Sequence, residues 1–423
     1  MGMLSFADLV RPLTTSTFLE TVWGREYVRL TGDQDRFEHL LPWPVLNRIL
    51  REHRFDPSRL RLVKDGASLP ASGYLRSGGQ VATAEFTRAL RDGATLNINA
   101  VHELHEPIAR LAETMEDVFH ERVQANLYAS WQTVNGFDLH WDGHDVFVVQ
   151  VAGRKQWGIY GSTLADPVRS DAFETKAPRP TTPLWSGLLN PGELLYMPRG
   201  CWHVATPVDE PCIHLSFGVR QSTGADFLHW LATDLLATDV CRTNVPRLSN
   251  EADVTAYTDR LRAAVADAID SATLRRYFSD TDARAEVRPD VSLPLAATQL
   301  DPVFDDATIR FVPLRARLAT RDANRTSIVC LGRRWSFAAS VRPMLERLIT
   351  RDPASFSELQ AFLPPDMTSE ELRRLLAKML RDGLIAADFG AGTNATDGAA
   401  TDALSFSPPA QPLSSSLAVV PDL

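Results

Sequence analysis

Asp138-Leu139-His140-Trp141-Asp142-Gly143-His144-Asp145-Val146-Phe147-Val148-Val149-Gln150-Val151-Ala152-Gly153-Arg154-Lys155-Gln156-Trp157 is the stretch on which the fold turns. In extended chain alternate side chains share a face, so His140 and Asp142 point to one side and Trp141 to the other. An apolar run then leads to Gly153, a turn signal, and a second run begins at Lys155. About sixty residues beyond Asp142, Pro198-Arg199-Gly200-Cys201-Trp202-His203 supplies a second imidazole from a distant strand. Two imidazoles and one carboxylate form the facial triad that suits non-haem Fe(II), because it leaves coordination positions open. A closed structural site would use four protein ligands.

Around this stretch, residues 123–219 read as short β-rich runs separated by Gly, Pro and Asn: ANLYASW, DVFVVQVAG, KQWGIYG, GELLYMPRG and CIHLSFGV. Asn135-Gly136, Gly153, Asn190-Pro191-Gly192 and Pro198-Arg199-Gly200 are the turns, and the pattern is that of a barrel or jelly roll. Before it, residues 1–120 are mixed: Phe18, Leu19, Val22 and Trp23 share a helix face, 43–50 carries a second stripe, and 106–121 a third. After Arg220 strands give way to helical stripes, Phe227/Trp230/Leu231/Leu235 and Tyr257/Leu261/Val265/Ile269, which could cap the barrel or make a dimer contact. From about 303 to 390, three helical stripes precede Leu384-Ile385-Ala386-Ala387. The last helix opens on Thr368-Ser369-Glu370-Glu371 and stops at Gly383, as a capping box and a C-terminal glycine require. That outline is a winged helix, and the Gly, Ala, Thr, Ser and Pro bias beyond it reads as a disordered tail.

The expected architecture is therefore mainly β with α. It comprises an oxygen-handling β-domain with its N-terminal extension over 1–222, a helical linker or dimerisation region over 223–300, a winged-helix-like domain over 301–390 and the tail over 391–423.

Composition narrows the function. Of 423 residues, 44% are hydrophobic and 23% charged, which suits a folded protein rather than a disordered one. A net charge of -9 argues against a nucleic-acid-binding polycation. No uninterrupted apolar stretch is long enough for a membrane span and no secretory leader is visible, so the expected location is cytoplasmic. Cys201, Cys212, Cys241 and Cys330 lack the spacing of a disulfide framework or zinc knuckle and read as reduced thiols.

The 142–157 stretch resembles the corresponding part of JmjC oxygenases, particularly the subgroup that hydroxylates ribosomal proteins. Asn126-Leu127-Tyr128, Gly136-Phe137 and the Pro198-Arg199-Gly200 before His203 belong to the same resemblance, which covers roughly residues 18–219. It implies a double-stranded β-helix of the cupin type with His140, Asp142 and His203 as iron ligands, and no catalytic residue beyond them. It implies Lys155 as partner of the far carboxylate of 2-oxoglutarate, Asn126 and His214 beside that co-substrate, and Tyr128 facing the substrate. An apolar barrel holds a dianion only if metal and ammonium neutralise its ends. The implied reaction uses Fe(II), 2-oxoglutarate and O2 to hydroxylate a side-chain carbon of a protein or peptide such as a ribosomal protein. One departure is Gly218, where related enzymes often carry Ser.

Plainer roles stand beside these. Asn126, Tyr128 and His214 could each be satisfied structural residues. Asp138 and His144, in phase with the ligand pair, read as a polar barrel mouth. His102 and His105 in HELHE imitate a metal spacing, yet Pro107 opens a helix just after them, so they read as loop or cap residues. Three other functions compete: a hydroxylase of small molecules or peptide natural products, a winged-helix nucleic-acid-binding regulator with a sensor barrel, and a cupin isomerase or lyase. The second has a weak footprint, 14 basic against 11 acidic side chains over 303–390. The third would not call for an interior lysine.

Overall fold

The computed structural model describes residues 4–134, 136–168, 171, 178–297, 304–322, 324–364 and 367–389. The expected tail, 391–423, lies outside the described residues.

Its centre is two facing antiparallel sheets. The larger contains β1 (Val28–Leu30), β2 (Leu60–Lys64), β3 (Ala67–Ser68), β4 (Thr95–Ile98), β5 (Val123–Ser130) and β6 (Asp145–Ala152). After β7 (Lys155–Ser162) and β8 (Trp185–Leu189), it is completed by β9 (Leu194–Met197) and, after β10 (Cys201–Pro207), by β11 (Cys212–Val219). The orders are β1-β9-β6-β11-β5-β4-β2-β3 and β10-β7-β8. This is the β-rich, cupin-like arrangement expected over 123–219. It also recruits β1 to β4 from the N-terminal segment, which extend the large sheet beyond that span.

The alternation within the strands explains why polar groups end up inside. On β5, Ala125, Leu127 and Ala129 are buried in the large core, while Asn126, Tyr128 and Ser130 occupy the other phase. On β11, Ile213, Leu215, Phe217 and Val219 join that core, leaving Cys212, His214, Ser216 and Gly218 for the barrel. β6 is covered on both faces, with Phe147, Val149 and Val151 in the large core and Val146 and Val148 in a smaller core between the sheets. Two-sided burial is why DVFVVQVA reads as an unbroken apolar run. Helices Phe6–Leu9, Thr15–Thr21, Trp43–Glu52 and Glu106–Phe119 cover the outer face of the large sheet. The last of these ends at His120, whose φ of 55° closes it one residue short of the expected Glu121.

The helical region follows as Gly224–Asp234, Glu251–Ala268 and Ser271–Ala283. The stripe expected on Glu251–Ala268 buries no residue. Beyond 303, helices Arg342–Ile349, Phe356–Ala361 and Ser369–Arg381 match the three expected stripes. They pack with a sheet of β12 (Ala307–Phe311), β16 (Ala354–Ser355) and β17 (Ile385–Phe389) on a separate core. The expectation of strands ending at Arg220 needs correction: β13 (Arg317–Asp322), β14 (Arg325–Cys330) and β15 (Arg333–Ala338) form an additional meander. Its outer strand alternates exposed and half-buried residues and is rich in Arg, so no apolar run announced it.

Candidate metal centre

His140 and Asp142 lie just before β6, in extended chain rather than in a regular strand as their spacing suggested. The alternation survives because this segment is stapled to β10. His140 N–H donates to the His203 carbonyl at 3.1 Å and His203 N–H to the His140 carbonyl at 2.8 Å. Gly200 N–H donates to the Asp142 carbonyl at 2.8 Å. Trp141 is buried on the opposite side. The pleat and the bridge together bring His140, Asp142 and His203 to one point, with ligand atoms within 4.8 Å of one another. Among the described residues no other group of three such side chains converges.

The hydrogen bonds of the two rings fix their chemistry. Nδ1 of His140 lies 2.7 Å from the Asp138 carbonyl, and Nδ1 of His203 lies 2.9 Å from the Cys201 carbonyl. A carbonyl can only accept, so both protons sit on Nδ1 and both Nε2 lone pairs are left for a metal. Nε2 of His203 is 3.6 Å from Oδ2 of Asp142. Burial and the neighbouring His140 ring bring His203 down to about 4, so it is a neutral ligand at pH 7. For Asp142, burial pushes upward, yet His203, His144 and His140 together outweigh it and hold the carboxyl below its usual range. A neutral pair of imidazoles and an ionised carboxylate are what a divalent cation needs.

Behind the triad is a cavity of about 260 Å³ that is also lined by Asn126, Tyr128, Lys155 and His214, so the side chains that the resemblance implied for the site meet there. Lys155 is 4% exposed, and among the described residues its Nζ has one hydrogen bond, to Ser130 Oγ at 3.5 Å. Burial lowers its pKa. A buried ammonium with three donors and one long contact suits an anionic ligand. His214 Nδ1 and Trp157 Nε1 are buried without partners in the same cavity. Burial, then Lys155, holds His214 well below its ordinary value, so the ring is neutral; it stacks on Tyr128 at 4.9 Å. Burial beside Asp142 pushes the Tyr128 phenol up to about 12, keeping it a donor. Asn126 has a structural share as well: its Oδ1 accepts from Ala100 N–H at 3.0 Å and from Gln124 at 3.1 Å. Only its NH2 group is left for a ligand.

The secondary candidates sort out plainly. Asp138 is exposed and does not line the cavity. His144 lines the cavity beside Gly218, where an added Cβ would fall 2.5 Å from the His144 ring. That contact gives a physical reason for glycine where related enzymes often carry Ser. His102 is buried rather than in an open loop, and its Nδ1 accepts from Ala125 N–H at 3.2 Å. Two lining residues, Arg61 and Ser216, were not foreseen. Arg61 comes from β2, in a segment with no motif to point to it.

Residues 100–227 match the family model for the JmjC domain. This stretch is a JmjC domain. The chain is 28% identical over 235 residues to the bifunctional lysine-specific demethylase and histidyl-hydroxylase NO66 of Drosophila persimilis, covering 52% of this chain and 32% of the relative. It is 30% identical over 289 residues to ribosomal oxygenase 2 of Rattus norvegicus, covering 63% and 60%. The chain thus spans about a third of the fly protein and under two thirds of the rat one. The chain shares a fold with YcfD, a ribosomal oxygenase from Escherichia coli. The TM-score is 0.54 at 19% identity, over 89% of this chain and 98% of that one. YcfD has also been solved with cobalt and 2-oxoglutarate, a structure similar to this chain at a TM-score of 0.53.

Proposed function

We propose that this chain is an Fe(II)- and 2-oxoglutarate-dependent oxygenase that hydroxylates a side-chain carbon of a protein or peptide. The observation that carries the reading is the pair of Nε2 atoms, freed by carbonyl-bound Nδ1 groups, facing Asp142 in a cavity that also holds the under-bonded Lys155. In this reading His140, Asp142 and His203 hold the iron. Lys155 neutralises the remote carboxylate of 2-oxoglutarate. When bound, iron and 2-oxoglutarate activate O2, with decarboxylation of the co-acid to succinate, and supply the oxidising power for C–H hydroxylation.

The protein's share is placement. The neutral His203 imidazole keeps the site competent at pH 7, and the Tyr128 phenol and Asn126 NH2 offer donors to orient ligands. Val146, Val148 and Met197 keep one wall of the cavity dry. The test is succinate formation from 2-oxoglutarate with added Fe(II). His140→Ala and Asp142→Ala are expected to abolish it, and activity retained in either variant refutes the ligand assignment.

The relatives' names point to a ribosomal protein as acceptor, and we adopt that class. Mass spectrometry of ribosomal proteins from cells with and without the chain should show a +16 Da difference, the mass of one oxygen. We read the unit on the second core as a winged helix, but not as a nucleic-acid reader. On Ser369–Arg381, Arg373 pairs with Asp305, Arg374 with Glu370 and Lys378 with Asp382, so three of its four cations are already neutralised. Leu228, Leu236, Leu274 and Phe278 are exposed on the helical region and form our candidate dimer face, which light scattering would test.

A further inference from the structure

Arg61 is the lining side chain that neither the triad nor Lys155 accounts for. It sits on β2 opposite Asn97 of β4, which sits opposite Tyr128 of β5, which sits opposite His214 of β11. One polar row therefore crosses four strands, and three of its members, Arg61, Tyr128 and His214, line the metal-centre cavity.

The row holds the guanidinium by one edge. Nε and Nη2 of Arg61 both donate to Asn97 Oδ1, at 3.2 and 3.0 Å. Asn97 is fully buried and is fixed in turn by its NH2 group, which donates to the Leu127 carbonyl at 3.2 Å. The end of the guanidinium bearing Nη1 and the second Nη2 hydrogen has no hydrogen-bond partner among the described residues, and no described carboxylate lies within the 4.0 Å of an ion pair. That free end is two parallel N–H groups, the spacing that matches the two oxygens of a carboxylate. A half-buried cation held in place by a neutral carboxamide is charge kept available. A carboxylate at position 97 would have spent it on an internal pair.

We propose that Arg61 is a recognition residue for a second carboxylate in this cavity, distinct from the one at Lys155. The inference rests on the oxygenase reading above. The carboxylate comes either from the acceptor's own side chain or from the metal-proximal end of 2-oxoglutarate.

Isothermal titration of the full chain loaded with Mn(II) separates these sources without turnover. The first arm titrates 2-oxoglutarate. The second titrates N-acetyl-glutamate methylamide, with and without 2-oxoglutarate. Arg61→Gln is expected to weaken one ligand at least tenfold, 2-oxoglutarate if the co-substrate is the source, the glutamyl probe if the acceptor is. Asn97→Asp, which gives Arg61 an internal partner, should weaken the same ligand while Mn(II) affinity and circular dichroism stay unchanged. Failure of the wild type to bind 2-oxoglutarate would defeat the oxygenase reading, and the glutamyl arm would still report on Arg61. Absent or unaltered binding in both arms overturns the proposal.

Discussion

Burial raises the value of some charges in this barrel and removes others. Burial lowers the Lys155 pKa, an anionic ligand would offset that desolvation, and the hydrogen-bond partner it has among the described residues, Ser130, is neutral. Lys155→Met should therefore raise the dissociation constant for 2-oxoglutarate about 10–100-fold, the size of one lost charge-assisted hydrogen bond of ~1.5–3 kcal/mol, with metal affinity little changed. An unchanged constant would show that the ammonium does not touch the co-substrate. His102 illustrates the opposite case. Burial, then Arg288, lowers it to about 4, and its Nδ1 must stay unprotonated to accept from Ala125. Between pH 6.5 and about 4 the unfolded chain binds the proton and the folded one does not, so stability rises with pH across that window and is lost on acidification. A shift of that size corresponds to roughly 3 kcal/mol at full extent. Urea midpoints at pH 7.5 and 5 should differ less in His102→Gln than in wild type; an equal difference would place the acid sensitivity elsewhere.

The turn joining β6 to β7 sets where Lys155 enters the cavity, and it depends on Gly153. At φ 60°, an added Cβ would stand 2.1 Å from the Pro211 carbonyl, so backbone must move. Gly153→Ala should cost about 2–4 kcal/mol and lower the melting temperature by several degrees; an unaltered melt would mean the turn relaxes freely. This turn was legible because a glycine set between two apolar runs marks a reversal of the chain. The triad was legible because alternation needs only extended backbone, and it holds in the stapled loop around His140 as well as in a strand. The helices were legible through their stripes and caps, down to Thr368 and Gly383. What stayed hidden is set by partners rather than by local pattern. Leu60–Lys64 and Thr95–Ile98 are too short to show a period, and they become strands because β5 offers an edge to β4 and β4 in turn offers one to β2. Arg61 was hidden for the same reason, since its place in the cavity exists only once β2 and β4 pair.

The two cores are joined by charge. Arg351, from the C-terminal unit, donates to Glu113 at 2.6 Å and to Asp117 at 2.7 Å on the helix behind the barrel, and Arg288 lies 3.5 Å from the same Glu113. Arg351 is 13% exposed and Glu113 10%, and without Arg351 the Glu113 carboxylate still has Arg110 and Arg288. The expected cost of Arg351→Ala is about 1.5–3 kcal/mol, that of lost charge-assisted hydrogen bonds, and it should fall on the connection between the units rather than within either apolar core. Calorimetry should then resolve two transitions where the wild type shows one, with Mn(II) binding retained up to the melting of the barrel. A variant that still unfolds in one transition at the wild-type temperature would mean that apolar contact, not this cluster of charges, holds the C-terminal unit in place. The distinction matters for the metal centre because helix Glu106–Phe119 packs on β5, the strand that carries Asn126 and Tyr128. Loosening the charged joint should thus reach the cavity through that strand, as weaker 2-oxoglutarate binding at unaltered metal affinity.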